Sequence, residues 1–410
     1  MTSATPPTGT GALAKREARL AWTLLAPTVI SVSLVVILPL LAIFWISFKP
    51  FTLSDLRPPA PVVRESLRGS GDDLRIEYRL RNSSQEIAID GVTLSDVLPD
   101  GVVAGDVAAP CVLDGQDLFC DFGTLEGGQR ERIRIPVDVD GDPDAFEDVV
   151  EASEPRVTGS GPNVLTNFEF SLDNYARVFD GAEFWGVLWV TLFYTVFGTI
   201  GALVMGLFAA LLLNKSFKGQ GFIRGLYLFP YVAPVIAVAF TWVTLFDPFS
   251  GSANALLIQM GLTSAPINFF GERPLALIMV TVFEIWRYFP LSFLFILARM
   301  QSIDSSMYEA ADMDGASPFQ KFWLLSIPQL LGILSVLFLL RFIWTFNKFD
   351  DIFLLTGGNA GTRTLTVNVY EQAFAISNIG AGAAVAVVIL LCLIAFSFVF
   401  FRFISREEGL

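Results

Sequence analysis

The stretch that decides the fold reads Tyr308-Glu309-Ala310-Ala311-Asp312-Met313-Asp314-Gly315-Ala316-Ser317-Pro318-Phe319-Gln320-Lys321-Phe322-Trp323-Leu324-Leu325-Ser326-Ile327-Pro328. Met307 to Met313 favour a short helix with small alanines on one face, and Gly315 stops it. Ser317 can cap a second helix that has Pro318 at its first position, where a missing N–H leaves nothing unsatisfied. The result is a helix-turn-helix between two apolar runs, lying at a membrane surface. Its close-packed alanines beside a fixed acid suit a groove of another protein; by residue type alone, a bland surface helix is the commoner explanation.

The chain around this stretch is 53% hydrophobic and only 16% charged, with 38 Phe and a mean hydropathy of +0.58. Soluble domains average about 45–50% apolar residues, so this chain belongs in a bilayer. It has no His and three Cys, which excludes His-based acid/base catalysis, Ser-His-Asp triads and the usual zinc sites. No catalytic residue and no metal site are expected. The formal charge of −13 comes from one place: Lys49 to Glu183 holds 27 acidic against 12 basic residues, −15, which leaves +2 elsewhere. The basic residues form no stripe along the sequence, and nucleic-acid binding gains no support.

Six apolar stretches can each cross about 30 Å of hydrocarbon as a helix: 21–48, 184–213, 222–246, 274–298, 329–347 and 380–404. Arg341 interrupts the fifth. Continuous runs of this kind exclude a β-barrel, which would show short alternating strands. Lys15, Arg16 and Arg19 precede the first run, and Lys215, Lys218 and Arg224 separate the second from the third. Arg299 and Lys321 lie between the fourth and fifth, and Arg402 and Arg406 follow the sixth. Because positive residues stay cytoplasmic, both termini are placed inside and the acidic segment outside. The first run is too long for a cleaved signal peptide and is read as a retained anchor.

Between Leu74 and Val139 the pattern changes to alternation, as in Arg75-Ile76-Glu77-Tyr78-Arg79-Leu80 and Ile133-Arg134-Ile135-Pro136-Val137. Turn residues separate the runs: Asp90-Gly91, Pro99-Asp100-Gly101 and Gly127-Gly128. This is a small β-sandwich pattern, and the order of its pieces resembles the immunoglobulin-like repeat domains of bacterial surface proteins. Cys111 and Cys120 both fall here, and a disulfide across a hairpin is expected in an extracytoplasmic compartment, two free thiols being the alternative. Two roles are open to the segment, docking of a soluble partner or simple spacing, and docking is favoured.

The run Glu309-Ala310-Ala311, with Gly315 and the tail Leu325-Ser326-Ile327-Pro328, resembles the EAA loop of binding-protein-dependent ABC importer permeases. Leu325 and Ile327 depart conservatively from the family pattern. The resemblance implies that this loop (300–328) docks into a cytoplasmic ATPase subunit, with Glu309, Ala310, Ala311, Asp314, Gly315 and Pro328 as coupling residues. No G-x-x-x-x-G-K-[ST] run is present, so ATP and magnesium are expected on partner chains. Over 185–404, Leu228-Phe229-Pro230-Tyr231-Val232-Ala233-Pro234, Asp351-Ile352-Phe353-Leu354-Leu355-Thr356-Gly357-Gly358 and Tyr370-Glu371-Gln372-Ala373-Phe374 resemble the carbohydrate branch, in particular the larger membrane subunit of maltose-type systems. Asn359 departs from a Pro common there, and the two additional leading helices of enteric relatives are missing.

Ionisable groups within spans are costly and usually face a cavity. Arg341, Trp344, Thr345 and Lys348 share one helical face, as do Glu284, Arg287 and Tyr288, with Tyr231 and Val235 one turn apart on the third run. Aligned on the resemblance, these positions match the sugar-contacting faces. Rings to stack on and hydrogen-bonding groups suit a sugar. Pairing of Glu284 with Arg287, and of Arg341 with a carboxylate, purely to hold helices together is the competing reading. The charged groups leave room for an anionic sugar derivative.

The expectation is therefore an all-α polytopic protein of six helices, with the type I ABC importer permease fold. An immunoglobulin-like β-sandwich is inserted at 60–165, between the N-terminus with the first helix (1–48) and the core (184–404). Its expected role is the permease subunit of an ATP-driven importer of a disaccharide or oligosaccharide such as an alpha-glucoside, in the bacterial inner membrane. Expected partners are a second permease subunit, two ATPase subunits, an extracytoplasmic sugar-binding protein and lipid. The alternative is a membrane-anchored receptor or adhesion protein displaying the immunoglobulin-like domain.

Overall fold

The computed structural model describes residues 11–85, 87–99, 101–139, 146–147, 149–150, 154–180 and 183–403. Contacts divide the chain into two units. The first takes in residues up to Phe44, Tyr175–Ala375 and those from Ala381 on; the second is Trp45–Asn174 with Ile376–Gly380.

The first unit is helical. Helices α1 (Ala12–Val32) and α2 (Leu38–Ser47) are joined through a π-helical turn, and α3 (Asp173–Asp180) leads into α4 (Phe184–Leu213). Next come α5 (Gln220–Val232), α6 (Val235–Leu245), α7 (Ser252–Gln259), α8 (Leu275–Gln301), α9 (Ser305–Met313), α10 (Pro318–Lys321) and α11 (Ile327–Phe346). The last are α12 (Asp350–Thr356), α13 (Leu365–Tyr370) and α14 (Ile379–Phe403). Among the described residues, five helical runs are long and apolar enough to cross a membrane: Leu13–Ser47, Phe184–Leu213, Leu275–Gln301, Pro318–Phe346 and Ile379–Arg402.

Two of the expected spans differ. The third, read as one helix over 222–246, is two helices bent by 90° between Val232 and Val235. Pro234 supplies no N–H to the carbonyl of Pro230 and forces Ala233 into an extended conformation (φ −63°, ψ 142°), which ends α5. The fifth starts at Pro318 rather than at 329, because α10 continues through a π-helical turn, Phe322–Ser326, into α11.

Helices α4 and α8 pack closely. A Cβ added at Gly198 would come within 2.9 Å of Glu284 Cγ, and one at Gly206 within 2.6 Å of Ser292 Cβ. Small residues thus let the two backbones approach, the usual device where lipid removes the hydrophobic drive between helices. Leu203, Ala210, Phe293, Ile296, Leu330 and Leu337 fill the core toward α11.

The second unit is a sandwich of two four-stranded antiparallel sheets. Strands β1 (Pro61–Arg68), β2 (Arg75–Asn82), β7 (Arg130–Val139) and β4 (Val102–Ala104) form one, in the order β1-β2-β7-β4. Strands β5 (Cys111–Asp114), β6 (Asp117–Leu125), β3 (Ile89–Val97) and β8 (Arg156–Ser160) form the other, in the order β5-β6-β3-β8. Alternate residues face inward, so Ile76, Tyr78, Leu94, Leu118 and Ile135 meet in one core. Asp90-Gly91, expected as a turn, lies inside β3 as an irregularity in the pairing with β6, where Gly91 takes φ 63°. Asn82 Nδ2 donates to the carbonyls of Ile87 (2.7 Å) and Leu125 (3.0 Å), pinning the β2 exit. Cys111 and Cys120, directly opposite in the β5–β6 hairpin, are joined as a disulfide.

The base of this unit is held by a buried cation. Lys49 Nζ donates to Asn167 O (2.6 Å), Asn167 Oδ1 (2.7 Å) and Glu169 O (2.6 Å), and lies 4.4 Å from the ring centre of Phe170. Burial pulls the Lys49 pKa below its ordinary value. Asn174 Nδ2 donates to the carbonyls of Ser47 and Lys49, and Gly380 N donates to Phe51 O, which explains why Ile376–Gly380 travels with this unit.

Candidate functional site

Two features of the helical unit carry chemistry. The first is the α9–α10 hairpin. Asp304 caps α9 by accepting from Ser306 N at 2.9 Å. The helix ends in a Schellman-type closure, with Ala316 N donating to Ala311 O, and Gly315 takes φ 75°. Ser317 and Gln320 cap each other reciprocally at the start of α10. Lys321 Nζ pairs with Asp312 at 2.5 Å, and Tyr308 OH meets Ser326 Oγ at 3.0 Å, so the hairpin is locked to the first turns of the following span. Glu309, Ala310, Asp314, Gly315 and Pro328 are exposed and Ala311 is half-buried. Met313 and Phe319 project beside them, 89% and 72% exposed. Together they form an exposed apolar and acidic face.

The second is a polar cluster between α4, α5, α8 and α11. Glu284 is fully buried at its centre. Its Oε1 accepts from Arg341 Nη2 (2.5 Å) and Thr345 Oγ1 (2.9 Å), and its Oε2 accepts from Tyr194 OH (2.9 Å). Lys348 Nζ lies 3.5 Å from Asp350 Oδ1 and 3.8 Å from Asp351 Oδ2. Arg341 and Lys348 both sit over the Tyr288 ring, 4.6 and 4.4 Å from its centre. A cavity of about 120 Å³ opens among Tyr231, Glu284, Tyr288, Leu291, Arg341, Trp344, Thr345 and Lys348. Trp344 and Tyr231 stay 52% and 39% exposed, with the Tyr231 ring edge-on to Tyr288 at 6.1 Å.

Seven of the nine residues expected at a substrate site therefore line one cavity, and Val235 and Arg287 do not. Val235 opens α6 beyond the break. Arg287 serves the break itself. Its Nη1 donates to Pro230 O (3.2 Å), the carbonyl that Pro234 leaves without a donor, and its Nη2 donates to Ala233 O (3.1 Å). Its Nε lies 3.9 Å from Asp351 Oδ1. Three participants go beyond the sequence reading. Leu291 sits close to one turn beyond Tyr288, a spacing that points to it. Tyr194 is polar in a Thr191, Thr195, Thr199 stripe of an otherwise apolar helix. Asp351 opens the Asp351-Ile352-Phe353 run, whose resemblance marks the branch without marking this contact.

Residues 202–407 match the family described as binding-protein-dependent transport system inner membrane component. The chain belongs to this family. The permease is 36% identical over 226 residues to the inner membrane ABC transporter permease protein YcjO of Escherichia coli K12, covering 53% of this chain and 74% of that protein. It is 34% identical over 209 residues to the trehalose/maltose transport system permease protein MalF of Thermococcus litoralis, covering 51% of this chain and 70% of MalF. Among solved structures, a bacterial ABC transporter involved in import of the acidic polysaccharide alginate superposes with a TM-score of 0.53 at 20% identity, covering 58% of this chain and 86% of that one. That likeness shows the type I importer fold of the helical unit and nothing about cargo.

Within this fold the cluster can do one kind of chemistry. Its charges are matched at short range inside a low-dielectric region, so no group is poised to attack a bond, while rings and donors stand at the cavity wall. Such an arrangement can hold and orient a ligand.

Proposed function

We propose that the chain is the permease subunit of an ATP-driven sugar importer, forming half of the path and coupling it to separate ATPase subunits. The observation that carries this reading is continuity: Pro318–Phe346 runs from the exposed hairpin to Arg341, Trp344 and Thr345 at the cavity. Movement imposed on the hairpin by an ATPase is delivered along one helical run to the cavity wall. ATP and magnesium are assigned to those partner chains.

The cargo assigned is a disaccharide or oligosaccharide such as an alpha-glucoside. Its support is the pair of part-exposed rings, Trp344 and Tyr231, beside hydrogen-bonding groups, together with the name carried by the Thermococcus relative. A cavity of about 120 Å³ is smaller than the roughly 300–1,000 Å³ of ordinary ligand sites, so the facing wall is assigned to a second permease subunit. We place the termini in the cytoplasm and the sandwich outside, where it receives a soluble sugar-binding protein, and keep its immunoglobulin-like class as part of the proposal. A receptor or adhesion role is not favoured, since it gives no reason for the hairpin or the cluster.

The test is reconstitution of the permease with its partner subunits and measurement of hydrolysis stimulated by sugar-loaded binding protein. Gly315→Val should lower stimulated hydrolysis at least tenfold. An added Cβ meets nothing within 4 Å there, but φ 75° in an L residue costs about 1–2 kcal/mol, so the hairpin rather than the fold changes shape. Normal stimulation by this variant would overturn the coupling assignment.

A further inference from the structure

The most unusual surface of the molecule lies on the sandwich. Across β1, β2 and β7, the residues opposite one another on the outward face form rows: Arg64, Arg79, Arg132; then Val62, Arg81, Arg130; then Ser66, Glu77, Arg134; then Arg68, Arg75, Pro136. Eight arginines share this face with one carboxylate. Neighbours in a row stand about 4.8 Å apart and rows about 7 Å apart, so the charges form a flat array. The segment from Lys49 to Glu183 has a net charge of −15 and only 12 basic residues, eight of them here, so sorting rather than composition puts them together.

The array is unfavourable by itself. Like charges directly opposite in a sheet destabilise it. Glu77 alone answers three of them, with Arg79 at 2.6 Å, Arg134 at 3.3 Å and Arg132 at 3.7 Å. Asp73 pairs with Arg75 at the rim, and Asp138 lies one row beyond Pro136. Among the described residues no carboxylate pairs with Arg64, Arg68, Arg81 or Arg130, all exposed. Local choices that oppose folding are expected at functional sites.

We infer that this arginine face docks an acidic surface of the soluble sugar-binding protein; the inference rests on the proposal that the sandwich lies outside and receives that protein. Guanidinium forks match carboxylates bidentately. The other residues of the face are Val62, Ser66 and Pro136, which offer no ring for a sugar to stack on and no large apolar anchor for a bilayer interface. Several carboxylates on a folded partner satisfy the array, and the field also speeds encounter by about 10–1,000-fold at low salt.

The experiment uses the reconstituted transporter and titrates binding protein against ATP hydrolysis. Arg64→Gln, Arg81→Gln and Arg130→Gln are combined, since among the described residues none of the three pairs with a carboxylate. The expected result is at least a tenfold rise in the half-saturating concentration of binding protein at low salt, with the maximal rate unchanged and the gap narrowing in 0.5 M salt. The corresponding triple lysine variant should keep most of the affinity. An unchanged half-saturation overturns the inference. Excision of 60–165 separates the two levels: if excision raises half-saturation and the glutamine variant does not, docking uses another surface; if neither does, docking by the sandwich fails as well. Loss of binding to phosphatidylglycerol vesicles by the glutamine variant, with the titration unchanged, would assign the face to lipid and overturn it too.

Discussion

The buried cluster around Glu284 and the arginine face around Glu77 are opposite solutions to holding many charges. In the cluster, Arg341, Arg287 and Lys348 stand against Glu284, Asp351 and Asp350; Thr345 Oγ1 donates to Glu284 and the Pro230 carbonyl accepts from Arg287, while Arg341 Nε, Arg287 Nε and the Asp351 oxygens make no hydrogen bond among the described residues. On the face, one carboxylate answers three guanidinium groups and four others have no acid partner among the described residues. The dielectric decides. Out of water an unmatched charge costs several kcal/mol, so each charge of the cluster stands near an opposite one, whereas in water the repulsion is screened and charges can be left open for a partner. Internal matching thus distinguishes a charge set that holds the fold from one that waits for something else.

The largest effect should follow from breaking the match inside the cluster. Glu284→Ala leaves Arg341 buried at 2% exposure without its carboxylate and should destabilise the chain by about 3–5 kcal/mol, read as lost thermal stability in detergent. Joint replacement of Glu284 and Arg341 by Leu should recover most of that stability while uptake stays lost. If the double variant melts as low as the single one, mutual matching is not what the cluster needs.

A smaller and more selective effect is expected at the cavity mouth. Trp344 is half exposed and pairs with no charge, so Trp344→Ala should leave stability and basal ATP turnover nearly unchanged. Sugar uptake should fall about threefold to tenfold, the range expected for an aromatic contact of about 0.5–1.5 kcal/mol. Undiminished uptake would remove Trp344 from the substrate wall and leave the cluster as a purely structural device.

The two regions are unequally legible in the sequence. The faces of α8 and α11 follow from spacing within one helix, so residue order alone groups Glu284 with Tyr288 and Arg341 with Trp344. It does not reach Tyr194 and Asp351, because what draws them in is a contact between elements, Tyr194 with Glu284 across 90 residues. Pro234 writes the break into the sequence, yet the apolar run around it masks the bend, and the partner role of Arg287 exists only once the bend is made. The arginine face is half visible. Alternation puts Arg75, Arg79 and Arg81 on one side of β2, and Arg130, Arg132 and Arg134 on one side of β7, but the register that lines them up joins strands some 50 residues apart. Hairpin α9–α10 is the most legible element, since caps and turn are local.

The smallest effect should come from Glu77, where the comparison between the regions is closest to failing because this carboxylate is both buried and the one anion amid the array. The hydrogen bond from Arg79 holds its pKa below the ordinary carboxylate value of 4.5. A depressed pKa means that the charged form contributes stability fully above that ordinary value and loses it as pH falls through the folded-state value. At pH 7, Glu77→Gln should lower the melting of the sandwich by a few degrees at most, since its partners are about half exposed and screened. Calorimetry of the full chain from pH 7 to pH 3.5 should show the gap between wild type and variant constant down to about pH 4.5 and closing below it. A gap that persists unchanged at pH 3.5 would mean that Glu77 acts through its shape rather than its charge.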